Sequence, residues 1–565
     1  MSGKDGGGGL SGDIGGMGGV GGIGGHRGRP ARSRPRHLPV WRAGVPYRSL
    51  AVTPLYDVTS GEQVAEVGQA NAALITRDLA AARPAAGAGG AAGGAGAAGR
   101  PGPAGAAAHR AELVELAELP LGERLAICRR AAALFAEGEL AVGFDGETQS
   151  AADYLRDVSA TTGIPWSLAR ANRDKLRATL EQMAEVVDGL TRGLPAAALD
   201  GDGDAGADRS HFQRLTDVLG AVLPSNSPGV HGLWLPAPAL GVGLALKPGR
   251  DEPWTPLRLL AALAAAGCPR SALSFYPTDH AGAAEILLRC DRSLLFGDAA
   301  TVRPWRFDAR VQVHGPGFSK VLFGEDQLPR WPAHLDLVVS SILANGGRSC
   351  INASGVWLAA GPRQARSQDS ATRDHPRAAR QVDGPGRELA VALAERLAAV
   401  EARPLDDPRA ELAAWPDPAA ARRVSDWIDR QLAPGEAEDL TAAARGGGRV
   451  AEAGGCTFLL PTLIWVRDPD HPLAHTELLF PFCAVVEAPR AELLARIGPT
   501  LVATALTADE AFRRELLACR AIDHLHLGAV PTWQVSFAQP HEGNLFDFLY
   551  RRRALREAGL SLVAS

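Results

Sequence analysis

Residues 218–246 read VLGAVLPSNSPGVHGLWLPAPALGVGLAL, and this stretch decides the fold class. Two short runs rich in valine, leucine and alanine, at 218–223 and 241–246, have the length and composition of buried strands. A helix is expected between them, near 229–237. A strand that is followed by a helix and a second strand is typical of a parallel sheet with helices on its faces.

The same alternation continues toward the C-terminus. The pattern predicts a helix at 255–267, a strand at 273–276, a helix at 280–289 and a strand at 293–296. Parallel sheets bind their ligands at the carboxyl ends of the strands. The residues that directly follow each predicted strand are therefore the first candidates for a binding site.

Distinctive residues follow three of these strands. PSNSP at 224–228 follows the first strand, Lys247 and a proline follow the second, and Gly297 follows the fourth. Taken singly, Asn226 is a turn residue, Lys247 a solvated charge and Gly297 a break between two elements. Only their joint order gives them a functional interpretation.

A cysteine turn lies further along the chain. NGGRSCINA at 345–353 follows the apolar run LDLVVSSIL at 335–343. Glycines let the backbone adopt conformations that other residues avoid, and they let a substrate approach closely. Cys350 on such a turn is a candidate nucleophile. The alternative is a small buried hydrophobic residue, which is the usual role of a free cysteine.

Composition excludes several classes of protein. A chain of 565 residues is long enough for two or more domains with full cores. A net charge of -4 gives no basic surface for nucleic acid. The seven dispersed cysteines form no CxxC pair and no zinc spacing, so we expect no metal site and reduced thiols in a cytoplasm. No apolar run approaches the ~18 residues of a membrane span, and no signal peptide is evident, so no membrane partner is expected.

Low-complexity tracts divide the chain. Residues 1–45 are rich in glycine, arginine and proline, and we predict a disordered head there because few apolar groups are available for burial. The Ala/Gly/Pro tract at 84–108 and the polar tract at 361–386 are predicted to be flexible insertions. Between the first two tracts a short strand-turn pattern precedes a helix. Residues 110–194 are predicted to form successive amphipathic helices.

Five motifs in register resemble the aldehyde dehydrogenase superfamily over roughly 46–565. They are the three motifs after the predicted strands, the cysteine turn, and TELLFPF at 476–482. The resemblance implies an α/β fold with a Rossmann-type nucleotide-binding domain and an α/β catalytic domain. It also implies a C-terminal oligomerisation segment and a homo-oligomeric protein.

The resemblance also implies domain bounds. We expect the NAD(P)-binding domain at 46–334 and the catalytic domain at 335–525. The segment 526–565 is expected to pack on the first domain or on a partner subunit.

The resemblance implies two catalytic residues. Cys350 stands at the nucleophile position, and Asn226 stands where a side-chain amide helps to form the oxyanion hole. A thiolate that adds to an aldehyde leaves negative charge on the carbonyl oxygen, and an amide donor aimed at that oxygen is worth about 3–4 kcal/mol in well-studied enzymes. The adduct then expels hydride to a nicotinamide and leaves a thioester.

Four positions are implied to bind the cofactor, NAD or NADP. Lys247 stands where a lysine binds the adenosine ribose, and Ser225 lies beside the oxyanion asparagine. Gly297 stands where a helix N-terminus approaches the pyrophosphate. Glu477 stands where a carboxylate accepts hydrogen bonds from the nicotinamide ribose. Arg250 lies near the expected adenine ribose and would tolerate a 2′-phosphate, which leaves NADP open.

One departure from the family bears on the mechanism. Hydrolytic relatives carry a glutamate that activates water against the thioester, and the corresponding residues 313–317 contain no carboxylate. The Gly-Pro-Gly of this segment looks like the acylating branch, in which coenzyme A takes the acyl group. His314 is either a substitute base or a structural histidine.

Three functions therefore stay open at this point. The first is NAD(P)-dependent oxidation of an aldehyde through Cys350. The second is a CoA-acylating aldehyde dehydrogenase or acyl-CoA reductase, which acts on an aldehyde or an acyl thioester. The third is a catalytically silent protein that keeps the fold for binding. Reduction of NAD or NADP by aldehydes, with and without coenzyme A, separates them.

Overall fold

The computed structural model describes residues 35–82, 115–144, 146–200, 208–360, 384–433 and 435–556. The predicted insertion at 84–108 lies outside these residues. The same holds for 1–34 of the predicted head and for 361–383 of the second predicted insertion.

Most strands belong to two seven-stranded sheets. The strands are β1 (Arg36–Leu38), β2 (Val40–Arg42), β3 (Val45–Tyr47), β4 (Val52–Tyr56), β5 (Gln63–Gly68), β6 (Leu140–Ala141), β7 (Thr148–Gln149), β8 (Asp208–Arg214), β9 (Val218–Val222), β10 (Gly243–Lys247), β11 (Leu273–Phe275), β12 (Arg292–Phe296), β13 (Val311–His314), β14 (Lys320–Phe323), β15 (Gly355–Ala360), β16 (Ala437–Asp439), β17 (Val450–Ala453), β18 (Cys456–Leu459), β19 (Thr462–Val466), β20 (Phe482–Pro489), β21 (Thr500–Leu506), β22 (Ile522–Leu527) and β23 (Tyr550–Arg556).

The helices pack on the faces of these sheets or on each other. They are α1 (Ala72–Ala82), α2 (Leu121–Glu137), α3 (Ala151–Thr162), α4 (Trp166–Glu181), α5 (Met183–Thr191), α6 (Ala196–Leu199), α7 (Pro236–Ala239), α8 (Trp254–Ala265), α9 (His280–Arg289), α10 (Ala299–Val302), α11 (Leu335–Leu343), α12 (Pro385–Ala398), α13 (Pro418–Leu432), α14 (Leu440–Arg445), α15 (Leu493–Arg496), α16 (Glu510–Ala518) and α17 (Leu545–Leu549). No helix of the described part of the chain is long and apolar enough to cross a bilayer.

The first sheet has the order β13-β12-β9-β10-β11-β2-β3. Its first five strands are parallel, whereas β2 and β3 are antiparallel additions. The chain runs from β9 to β10 and β11 on one side and then crosses to β12 and β13 on the other. A reversal of strand order opens a crevice at the carboxyl ends of the strands. It brings the residues after β9 and after β12 side by side.

The second sheet has the order β16-β19-β20-β15-β14-β21-β22 and is parallel except for β16. Both of its faces are covered. On β15, Trp357 and Ala359 join one apolar cluster with helix α13, and Val356 and Leu358 join another with helix α12. Burial on both faces explains why the strand reads as a continuous apolar run.

The two sheets are joined by residues 315–319, between β13 and β14. Because this connection is short, the carboxyl end of the first sheet faces the segments that lead into β15 and β20. Cys350 precedes β15 and Glu477 precedes β20. The fold therefore assembles the predicted site residues at one junction.

The prediction of a disordered head is wrong for 36–45. Strand β1 pairs with β5, and β2 pairs with β11. Val40 and Trp41 are buried. The glycine and arginine content of the neighbouring residues concealed this short apolar stretch, whose strand partners lie far along the chain.

The predicted start of the catalytic domain at 335 is also wrong. Strand β14 (Lys320–Phe323) already lies in the second sheet, between β15 and β21. The end of the second predicted insertion is corrected too, since Pro385 begins helix α12. Toward the C-terminus, β23 packs back and pairs antiparallel with β8.

The single helix predicted near 229–237 is divided. It consists of a 3₁₀ helix at Pro228–Leu233 and the short α7 at Pro236–Ala239. Proline lacks the N–H group that a continuous helix needs, and prolines at 236 and 238 interrupt the hydrogen-bond ladder.

Candidate active site

The cysteine turn is formed by three consecutive residues in the left-handed region. Asn345, Gly346 and Gly347 have φ angles of 53°, 64° and 72°. Glycine adopts this region without steric cost, and asparagine tolerates it. The backbone thus turns sharply after helix α11 and presents Cys350, which is half-buried.

A side-chain network fixes the turn. The amide nitrogen of Asn345 donates to the Ser227 hydroxyl at 2.8 Å and to the Ser349 hydroxyl at 3.0 Å. Its amide oxygen accepts a hydrogen bond of 2.7 Å from Asn172. These bonds connect helix α4, the loop after β9 and the residue that precedes Cys350. Asn345 therefore has a positioning role that the sequence alone did not reveal.

Asn226 reaches the cysteine turn from the first sheet. Its Nδ2 donates to the backbone oxygen of Arg348 at 2.7 Å, two residues before Cys350. Nδ2 carries a second hydrogen that this bond leaves available. The Arg348 guanidinium is buried and donates to the backbone oxygen of Thr162 at 2.6 Å, and burial lowers its pKa to about 10. Arg348 thus holds the backbone to which Asn226 is bonded.

The Gly-Pro-Gly segment packs directly on the cysteine. A Cβ atom added to Gly317 would lie 2.1 Å from the backbone oxygen of Cys350. The Ser319 hydroxyl donates to the same oxygen at 2.8 Å. Gly317 is therefore required by this close approach of two backbones.

We expect Gly317→Ala to displace the cysteine turn. An overpacked site of this kind costs about 1–3 kcal/mol of stability. Gly315→Ala is the matched control, because its Cβ would meet only Val302 at 3.6 Å, an ordinary contact. The melting temperature and the rate of Cys350 alkylation measure the effect. Equal behaviour of the two variants would contradict the proposed packing.

Glu477 is held against the same segment. One of its carboxylate oxygens accepts a hydrogen bond of 2.6 Å from the backbone N–H of Phe318. Burial raises the pKa of Glu477 to about 7, against the opposing effects of this hydrogen bond and of Lys320. Its other carboxylate oxygen has acceptor capacity that suits a hydroxyl donor.

The electrostatic setting of Cys350 disfavours the thiolate. Burial raises the pKa of the Cys350 thiol above its ordinary value, and the nearby carboxylates of Glu542 and Glu477 raise it further. Lys175 opposes this shift. The sulfur packs near an apolar group that includes Leu501. The Cys350 thiol is therefore largely protonated at neutral pH.

Two of the predicted cofactor residues suit a dinucleotide. Lys247 ends β10 at the carboxyl edge of the first sheet, and burial lowers its pKa although Asp251 opposes this shift. Binding of the two riboses of NAD or NADP by Lys247 and Glu477 stays a prediction. Ser225 has a local role as well, because its hydroxyl accepts a hydrogen bond of 3.1 Å from the Asp251 N–H.

The surroundings of Gly297 are less suited to binding the pyrophosphate of a dinucleotide. Helix α10, which follows it, has only four residues, and its N-terminus is capped by the Asp298 side chain, which accepts from Thr301 N–H at 2.8 Å. A carboxylate at that place would repel a pyrophosphate. Binding of the pyrophosphate at Gly297 stays a prediction, and this geometry weighs against it.

His314 is part of a cluster at the end of β13. It stacks on Phe296 at a ring distance of 4.4 Å, its Nδ1 is paired with the Glu542 carboxylate, and its Nε2 lies 3.3 Å from the Gln312 amide. Glu542 itself has a φ of 52°, which is uncommon for a residue with a side chain. No local sequence pattern indicates this pair, because His314 and Glu542 lie far apart in the chain.

The structure thus brings Cys350, Asn226, Glu477 and His314 to the junction between the sheets. Lys247 and Gly297 lie at neighbouring strand ends of the first sheet. Among the residues that the structure describes, no group of three or more histidine, cysteine or acidic side chains is placed to hold a metal ion.

No protein-family model matches the sequence, and no curated protein matches it. Solved structures do match. The indole-3-acetaldehyde dehydrogenase AldA of P. syringae, in complex with NAD+ and IAA, is 18% identical with a TM-score of 0.69, over 92% of this chain and 96% of that one. A 3,6-anhydro-L-galactose dehydrogenase in complex with NAP is 15% identical with a TM-score of 0.67, over 92% of this chain and 99% of that one.

A third match is aldehyde dehydrogenase 21 from Physcomitrella patens, in complex with succinate. It is 16% identical with a TM-score of 0.66, over 94% of this chain and 100% of that one. At this level of identity the matches establish the fold, which is the aldehyde dehydrogenase fold. The fold predicted from the five motifs is therefore confirmed.

Proposed function

We propose that this protein oxidises an aldehyde with NAD or NADP, through a thioester on Cys350. The observation that carries the proposal is the hydrogen bond of 2.7 Å from Asn226 to the backbone of Arg348. It fixes an amide donor from the first sheet beside the cysteine turn that leads into the second sheet. The complexes of two fold neighbours with NAP and with NAD+ support the choice of cofactor.

The chain supplies the groups for the first step. The Cys350 sulfur attacks the carbonyl carbon, and the free hydrogen of the Asn226 amide is available to the oxygen that becomes negative. Lys175 favours the thiolate electrostatically. A bound nicotinamide would supply the acceptor for the hydride that leaves the carbonyl carbon. Lys247 and Glu477 would hold the two riboses, so that the reacting atoms keep one orientation.

The release of the acyl group has two candidate acceptors. Water needs a base, and His314 has Nδ1 paired with Glu542 and Nε2 near Gln312. It would have to give up its contact with Gln312 to take a proton. Coenzyme A needs no such base, and the absence of a carboxylate at 313–317 favours it as the second candidate.

The experiment uses purified protein, a panel of aldehydes, NAD or NADP, and coenzyme A in half of the reactions. Absorbance of the reduced nicotinamide is followed, and the acid and acyl-CoA products are separated by chromatography. We expect aldehyde-dependent reduction. Formation of free acid without coenzyme A supports hydrolysis, and a requirement for coenzyme A supports the acylating reaction. No reduction under any condition contradicts the proposal and favours a silent binding protein.

We also propose a cytoplasmic homo-oligomer. The described cysteines are all free thiols, which suits a reducing compartment. Strands β23 and β8 form a sheet of only two strands among the described residues, so each has an unpaired edge that a strand of a partner could extend. A mass of 59.0 kDa in light scattering, the mass of one chain, would contradict the oligomer.

A further inference from the structure

Lys175 lies on the face of helix α4 that meets the cysteine turn. Asn172, one helical turn earlier, donates to the amide oxygen of Asn345 at 2.7 Å. Residues three apart on a helix share a face. The position of Asn172 therefore directs Lys175 toward the same turn. Burial lowers the pKa of Lys175, and electrostatic interaction with the Cys350 thiol opposes this shift.

Within the part of the chain that the structure describes, the Lys175 ammonium has no carboxylate partner. Its ammonium lies 5.1 Å from the centre of the Phe537 ring. Among the described residues, none of the ion pairs includes Lys175. The two carboxylates that interact electrostatically with the Cys350 sulfur have other partners, Glu542 with His314 and Glu477 with the Phe318 backbone.

Burial has an energetic cost for this lysine. Removal from water lowers the pKa of Lys175, because the ammonium loses hydration. A charge that is partly removed from water is costly unless it is paired. Binding of an anionic substrate would offset this cost, because the anion would pair with the ammonium. The Phe537 ring offers an apolar surface beside the cation for the carbon atoms of that substrate.

We propose that Lys175 binds an anionic group on the substrate, so that the preferred substrate is a short aldehyde with a carboxylate at its far end. This specificity rests on the proposed aldehyde oxidation at Cys350. Lysine suits the role because its ammonium is a compact point charge on a flexible stem with three donors. The carboxylate pairs with Lys175 while the carbonyl carbon meets the sulfur.

A first test does not depend on turnover. Cys350 is alkylated with iodoacetate, which is anionic, and with iodoacetamide, which is neutral, and both rates are followed by mass spectrometry of the peptide that contains Cys350. The ratio of the two rates cancels any change in thiol pKa. We expect this ratio to fall by about fivefold to tenfold in Lys175→Met, the effect of one nearby charge at partial exposure.

Two variants serve as controls. Lys175→Arg keeps the charge and is expected to keep most of the ratio. Arg173→Met removes a charge from the same helix that is already paired with Asp174 at 2.6 Å, and it should leave the ratio unchanged. An unchanged ratio in Lys175→Met overturns the proposal, and so does an equal fall in Arg173→Met.

A second test uses turnover. Succinic semialdehyde and butanal have four carbon atoms each, and only the first carries a carboxylate. We expect the wild type to prefer succinic semialdehyde, and Lys175→Met to lower kcat/KM for succinic semialdehyde about tenfold more than kcat/KM for butanal, because any effect of the lysine on the thiol is common to both aldehydes. An equal loss for both aldehydes would show that Lys175 acts only on the thiol, and would overturn the proposal.

The two tests separate two failures. If the wild type oxidises neither aldehyde while the alkylation ratio still depends on Lys175, aldehyde oxidation is contradicted and the anion site stands. If the wild type oxidises aldehydes but the alkylation ratio is insensitive to Lys175, the anion site is overturned and the oxidation stands.

Discussion

Cys350→Ser is expected to abolish aldehyde oxidation, with a loss on the order of 10⁶-fold in kcat, the scale seen when a covalent nucleophile is removed from an enzyme. Serine is close in size to cysteine, so the turn at Asn345 to Gly347 should keep its shape. Its hydroxyl is a far weaker nucleophile, because a hydroxyl gives up its proton much less readily than a thiol does. Reduction of NAD or NADP by the best aldehyde of the panel measures the loss.

Cys519→Ser is the matched control for this experiment. Cys519 is the other cysteine that is half-buried instead of buried, and it follows helix α16. We expect full activity from this variant. Dinucleotide binding by Cys350→Ser, followed through quenching of tryptophan fluorescence, should stay within about threefold of the wild type, since its ribose-binding groups are untouched. Retention of activity within tenfold in Cys350→Ser would remove the basis of the proposed reaction.

The alternation of strands and helices from 218 to 296 was predictable because it depends on local composition. Strands β9, β10 and β12 are buried on both faces, and so they read as short apolar runs separated by breaks. Candidate binding residues could be located directly after these runs for the same reason, because parallel sheets bind their ligands at the carboxyl ends of the strands.

The boundary between the two sheets was not predictable in this way. Strands β13 and β14 have similar composition and are separated by only five residues, 315–319. Their sequences do not indicate which strands they pair with. The sheet to which β14 belongs is decided by β15 and β21, and β21 is nearly 180 residues away.

Lys175 and Glu542 show the same limit within the site. Lys175 lies among exposed charges on an amphipathic helix, and Glu542 lies in a loop whose local sequence is typical of an ordinary turn. The role of each residue becomes apparent only from its contact with a residue far away in the sequence, Phe537 for Lys175 and His314 for Glu542. Contacts of this kind are set by tertiary packing and leave no local pattern.

The pH dependence of Cys350 alkylation is expected to be steep. Burial, Glu542 and Glu477 together raise the pKa of this thiol, so the protonated form dominates at neutral pH. Below its pKa, the thiolate fraction of any thiol rises tenfold for each pH unit. The rate with iodoacetamide should therefore rise by about 10³-fold between pH 6 and pH 9 without a plateau, whereas a thiol with the ordinary pKa of about 8.5 would begin to level off.

Charge variants distinguish the causes of this shift. Glu542→Gln removes a negative charge and keeps an acceptor for His314, so it should lower the thiol pKa and speed alkylation at pH 7. Lys175→Met should have the opposite effect, because Lys175 lowers that pKa. Burial is the largest cause, so each variant should change the rate only by about threefold to tenfold while the slope with pH persists.

A plateau below pH 8 in the wild type would contradict this account. It would mean that the thiolate is stabilised in the resting protein, against the burial and the two carboxylates that surround it. The opposite signs expected for Glu542→Gln and Lys175→Met make the explanation specific. A general loosening of the site would speed alkylation in both variants, whereas an electrostatic effect on the sulfur would speed it in Glu542→Gln and slow it in Lys175→Met.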